Sequence, residues 1–118
     1  MPEAQALPRW LTVILILATA APLIAIPYAV SKLEEIQSQF PKLTNSLFWT
    51  QAGAALLGVV GALALLCGRR FGVWLVLLSG AGVVGADIVY ESYPHAGAAT
   101  ALTTVIALGA RANWTRLR

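Results

Sequence analysis

An all-α integral membrane fold is what this sequence predicts: four transmembrane helices, with a short amphipathic external segment between the first two. Three observations predict it. Of the 118 residues, 58% are hydrophobic and 11% charged, and the mean hydropathy is +0.76. The apolar residues gather into stretches of about 20, the length that crosses a hydrocarbon core of about 30 Å. Trp10, Tyr28, Trp49, Trp74, Tyr90, Tyr93 and Trp114 fall at or near the ends of those stretches, in the headgroup layer where an amphipathic ring is most stable. Soluble domains carry roughly 25% charged residues, and a short chain has too little interior to hide this much apolar surface. The composition therefore argues against a soluble globular domain and equally against a disordered one.

The first span, 10–30, is bulky and glycine-free, with Pro22 and Pro27 inside it. Each proline removes a backbone donor and favours a bend, which membrane helices tolerate. Ala18-Thr19-Ala20 fits a small-x-small cleavage site. However, the apolar run continues to Val30 behind a single Arg9, so an uncleaved span is expected rather than a signal peptide.

In the connection that follows, Ser31-Lys32-Leu33-Glu34 fits a helix-capping box. Leu33, Ile36, Phe40, Leu43 and Leu47 then recur at steps of three and four, an apolar stripe that Pro41 divides into a short helix and a turn. Such a segment caps the bundle or lies on the membrane surface. Leu33, Ile36, Phe40 and Leu43 are accordingly candidates for contact with a surface or a partner.

The second span, 47–67, and the third, 71–90, are joined by the basic turn at Arg69 and Arg70, which suits anionic headgroups. The fourth, 93–114, has a shorter apolar centre (96–110) completed by Tyr93 and Trp114. Small residues four apart let helix backbones approach closely. Ala54, Gly58 and Ala62 in the second span and Ala81 with Gly85 in the third are the leading packing candidates. Gly82 with Ala86, Gly97 with Ala101 and Thr103 with Ala107 follow the same pattern, so the last three spans should form the tight part of one domain, 1–118.

Arg9, Arg69, Arg70, Arg111, Arg116 and Arg118 fall on one side of this topology, and Lys32 and Lys42 on the other. The positive-inside rule then predicts cytoplasmic termini in a plasma membrane protein. Glu3 falls on the inner side, whereas Glu34, Glu35, Asp87 and Glu91 face outward.

Asp87 is the one charge inside a span. Burial and Glu91, read as lying four residues on along the same helical face, make the two a candidate functional carboxylate pair. Asp87, Glu91 and His95 also suggest a metal, but Pro94 interrupts the register and there is no second histidine. No metal, cofactor or haem is expected. Lone Cys67 excludes an internal disulfide or a CxxC pair. The scattered bases exclude nucleic acid as a partner, and no hydrolase, Walker or dinucleotide motif is present. Asn113-Trp114-Thr115 matches a glycosylation sequon on the inner side, where it carries no meaning. A bundle this small also leaves little room for an active-site cavity.

In length and span count the chain resembles the small multidrug-resistance transporters, four-span chains that work as dimers. That family relies on a glutamate in its first span, whereas the first span here has no ionisable residue and Asp87 lies in the third. The resemblance therefore implies architecture alone. The sequence points first to a non-catalytic accessory or structural subunit of a larger membrane complex, with the bilayer and a bigger membrane protein as partners. The alternative is a small homo-oligomeric proton-coupled transporter using Asp87.

Overall fold

A computed structural model describes residues 7–118, and Glu3 lies outside the described residues. The chain is 84% helical with no strands among the described residues. In order the helices are α1 (Arg9–Ser31), α2 (Leu33–Gln39), α3 (Asn45–Leu66), α4 (Phe71–Val89) and α5 (Tyr93–Ala112), followed by a 3-10 turn, Trp114–Arg116. Three of them, α1, α3 and α4, are long and apolar enough to cross a membrane. The expected fourth span falls on α5, which has 20 residues but does not reach that apolarity. His95, three threonines and Arg111 dilute it.

The helix ends follow from local chemistry. α1 runs unbroken through Pro22 and Pro27. The expected capping box does not form: the Ser31 hydroxyl donates back to the Tyr28 carbonyl at 2.7 Å, and α2 begins only at Leu33. Thr44 does cap α3, its side-chain oxygen accepting from the Leu47 amide at 3.1 Å.

α3 stops in a Schellman motif. The Arg69 amide bonds the Ala64 carbonyl, the Gly68 amide bonds that of Leu65, and Gly68 takes φ +78°. α4 ends the same way, with Ser92 bonded to Asp87 and Glu91 to Ile88, but here the left-handed residue is Glu91 at φ 68°. Pro94 then sits in the first turn of α5, where its missing amide costs nothing.

The long helices form an elongated bundle of 52 × 22 × 20 Å. α1 packs on α3, α3 on α4 and α4 on α5, while α5 meets α1 only sparsely. At the end holding the start of α1 and the carboxyl end, Leu11 and Leu15 of α1 join Ala62, Leu65, Val73, Val76, Ile106, Ala110 and Leu117 in the main core. The chain's end is tied there, since the amide of Arg70 bonds the Arg118 carbonyl and the Arg118 amide bonds that of Gly68. At the opposite end a second cluster of Leu43, Phe48 and Tyr90 is covered by Leu33, Ile36 and Phe40.

The amphipathic stripe is thus turned inward: Leu43 is buried, and the Phe40 ring meets Tyr90 edge-on at 5.4 Å. These side chains cap their own bundle, with Leu33, Ile36 and Phe40 half-buried.

The packing stripes divide sharply. Gly61 and Gly72 put the backbones of α3 and α4 in contact; a Cβ on Gly61 would lie 2.8 Å from the Gly72 carbonyl oxygen. Gly58 is filled by Ser79, Gly80 by Thr103, and Gly82 approaches the Ala54 methyl. Ala62 is fully buried. Ala81 and Gly85, by contrast, lie on the exposed side of α4, and a Cβ at Gly85 would meet nothing within 4 Å. Gly97 and Ala101 are exposed in the same way. The packing of α4 falls one residue further on, on Gly82, Val83 and Ala86, because that face is the one turned to α3.

The first span also belongs to the tight part, for Gly109 leaves just enough space for Leu11 and Trp10, each 2.9 Å from a Cβ built there.

Candidate functional site: a buried aspartate–histidine pair beside an apolar cleft

Asp87 sits in the last turn of α4 and is completely buried. Three side chains from three elements hold it. The Gln51 amide of α3 donates to Oδ1. The Tyr90 hydroxyl donates to the same oxygen at 2.9 Å, with Gln51 Oε1 3.2 Å away as a second acceptor. His95, in the first turn of α5, brings Nδ1 to 2.6 Å from Oδ2. Among the described residues no buried side-chain nitrogen or oxygen lacks a partner.

Two donors already occupy Oδ1, and one hydrogen joins Oδ2 to Nδ1. Where the carboxylate accepts that hydrogen from a neutral ring, the imidazole is the Nδ1–H tautomer and Nε2 is left as an acceptor.

The sequence placed Asp87 correctly as a charge inside a helix, but not its partners. Glu91 does not share its face: α4 ends at Val89, and the left-handed turn swings Glu91 out to an ion pair with Lys42. Lys32 does not neutralise Asp87 either, since it lies beside Glu35 at 3.9 Å. Asp87, Glu91 and His95 therefore fail to converge as a metal set, although the reversal at Glu91 that separates Glu91 is what returns His95 to Asp87. Gln51 went unremarked in the sequence. Its signal is that of an amide inside an otherwise apolar span.

Tyr90 is buried in this network rather than placed in a headgroup layer, and Trp114 is half-buried beneath Arg70. Trp10, Tyr28, Trp49, Trp74 and Tyr93 are exposed near helix ends. The Arg70 guanidinium donates to the Trp114 carbonyl from Nε at 3.2 Å and from Nη2 at 3.0 Å, and it lies 4.8 Å from the Trp114 ring centroid. It ties the carboxyl end to the α3–α4 turn instead of standing free for phosphate. Asn113 spends its amide on the Gly109 carbonyl at 2.8 Å, so the sequon is part of a helix end.

The Lys42–Glu91 pair latches the α2–α3 connection to the α4–α5 turn. The hydrogen bond that the Lys42 ammonium donates to Glu91, and then the charge of Glu91, hold the ammonium above its usual 10.5. A raised lysine stabilises the fold below its unfolded value and loses that contribution only as pH climbs through the folded one. The latch therefore persists through neutral pH and releases in strong alkali.

Between the two cores lies a cleft of about 440 Å³, more room than the size of the bundle suggests. α1 contributes Ala18, Ala21, Ala25 and Ala29, and α5 contributes Ala98, Ala99, Leu102 and Thr103. Gln51, Tyr90 and His95 form its polar end. The cleft opens where α1 and α5 are least in contact, since the buried side chains of α1 are confined to Leu11 and Leu15.

Fold and site together define an all-α chain with three membrane-length apolar helices and a buried carboxylate–imidazole pair beside an apolar cleft. Comparison with protein-family models, with curated proteins and with solved structures finds no match.

Proposed function

We propose that this chain is a small proton-coupled membrane transporter, working as a homo-oligomer, in which Asp87 and His95 together take up and release the coupling proton. The observation that carries this reading is the fully buried Asp87 carboxylate held against His95 at the polar end of a cleft. Ionisable groups placed within membrane helices are costly, and relays and substrate paths are where they are kept.

Acquiring a proton at Nε2 changes the pair from a net negative charge to neutral, so occupancy of the cleft and protonation are linked. α5 supplies the fourth span in this reading, with its first turn lining the site and Arg111 near the basic end. The distribution of the six arginines supports a reading in which both termini are cytoplasmic and the membrane is the plasma membrane.

Liposomes containing this chain alone test the proposal. An imposed pH gradient should drive proton-linked flux that Asp87→Asn abolishes. Flux equal in the two proteins would end the proposal.

A second reading, an accessory subunit of a larger membrane complex, draws on the same opening. A partner's helix entering the seam between α1 and α5 would cover the exposed half of α1. Extraction in mild detergent should then bring down a stoichiometric partner, and a monodisperse chain without one counts against it.

A further inference from the structure

The geometry points to a ligand class for this cleft: a single-chain amphiphile whose head is a protonated amine carrying at least one N–H. The inference rests on the proton-coupled reading above and names what that site would exchange for its proton.

Four observations carry it. The walls are apolar, built from alanines of α1 and α5 with Phe48, Ile36 and Leu43 at one end, so the bulk of any occupant must be apolar. α1 and α5 both line the cleft and meet only sparsely, so the seam between them would admit a molecule already dissolved in lipid.

The polar group on offer is the imidazole rather than the carboxylate. Asp87 is completely buried with both oxygens engaged, whereas His95 is 59% exposed and itself lines the cleft. When the ring is neutral and its proton lies on Nδ1 toward Asp87, the other ring nitrogen accepts a hydrogen bond, and it therefore selects a donor.

Charge selects the sign. Asp87 and Tyr90 from α4 face the imidazole, Gln51 from α3 is neutral, and the α1 lining is apolar. Beyond them Lys42 is paired with Glu91 and Lys32 lies beside Glu35, which leaves Glu34 and Asp87 in excess. A cationic head is favoured there and an anionic one is repelled.

Proton and amine then compete for one atom. An ammonium N–H donates to Nε2 of the neutral imidazole. A proton arriving at Nε2 removes the acceptor and adds a positive charge, so the amine leaves. Asp87 is a positioning residue in this scheme, for it sets the tautomer without touching the ligand. Its replacement by Asn is specifically informative. The Asn carbonyl must stay toward the Gln51 and Tyr90 donors, so its NH₂ faces His95 Nδ1, and the imidazole turns to the Nε2–H form, a donor.

The test is binding of four probes sharing one alkyl tail, measured by calorimetry on the full chain in a neutral detergent: dodecylamine, dodecyltrimethylammonium, dodecanol and dodecanoate. A charge-assisted hydrogen bond corresponds to about a tenfold to hundredfold preference, so dodecylamine should exceed dodecyltrimethylammonium by at least about tenfold. That margin should vanish in Asp87→Asn and in His95→Phe and shrink as the solution is acidified. Ala21→Phe fills the cleft from α1, which makes no hydrogen bond to the pair, and should weaken every probe, with circular dichroism confirming that it folds. Equal affinity for the amine and the quaternary ion, or tighter binding of dodecanoate, would overturn the ligand class. Proton-linked flux that survives such a result leaves the transport reading standing and removes only this inference. Loss of flux sensitivity to Asp87 removes the transport reading, whatever the probes show.

Discussion

Asp87 is tolerable in the interior only because three other residues complete it. Asp87→Ala strands the Gln51 amide, the Tyr90 hydroxyl and the His95 imidazole at once. Buried donors left without an acceptor cost about 1–3 kcal/mol, and that loss should appear in reversible unfolding by denaturing detergent. Asp87→Asn keeps the shape and the two donors into Oδ1, so it should cost much less; an equal loss in both variants would contradict the geometry. At this scale the sequence was legible for Asp87, because a charge among apolar residues is visible without a structure. Its partners were not legible. His95 looked excluded by Pro94, yet a proline in the first turn starts a helix rather than breaking it. Gln51 lies 36 residues away along the chain from Asp87, a distance that no local pattern records.

Helices α1, α3 and α4 lie within two residues of the spans expected from apolar length, because length and apolarity are properties of each segment alone. Which small residues pack depends on neighbours, so the stripes at Gly58 and Gly97 look alike in sequence and differ in space. Gly61→Ala drives a methyl into the Gly72 carbonyl and should destabilise the α3–α4 contact by about 1–3 kcal/mol. Gly97→Ala meets nothing and should be neutral or stabilising by up to about 1 kcal/mol through helix propensity. Thermal unfolding of the two variants side by side checks both, and a larger loss at Gly97 would reverse the assignment of faces. The turn after α4 carries its own prediction. A non-glycine residue in the left-handed region costs about 1–2 kcal/mol, and an exposed ion pair returns little. Glu91→Gly should therefore raise the melting temperature even though it removes the contact with Lys42. A fall would mean that the latch outweighs the strain.

Across the whole molecule, charge and cavity divide the bundle into two ends. The end with the 3-10 turn is dry, tightly packed and basic, its turn and tail sewn together by Arg70, Trp114 and Arg118. The other end is acidic in balance and is closed by α2. Between the two, the splay of α1 from α5 leaves the cleft open. The segregation of charge was plain in the sequence, since it needs only the alternation of spans. The cleft was invisible there, because it arises where two helices distant in sequence fail to meet. Asp87 holds the imidazole by Nδ1 at the polar end of that cleft, and the proposed tautomer makes Nε2 the acceptor. His95 is the only histidine, so the nitrogen-15 spectrum of histidine-labelled protein reports on this one ring. At a pH where the ring is neutral, the spectrum should show the Nδ1–H tautomer, turning to Nε2–H in Asp87→Asn. A ring that is Nε2–H in both proteins would contradict the account.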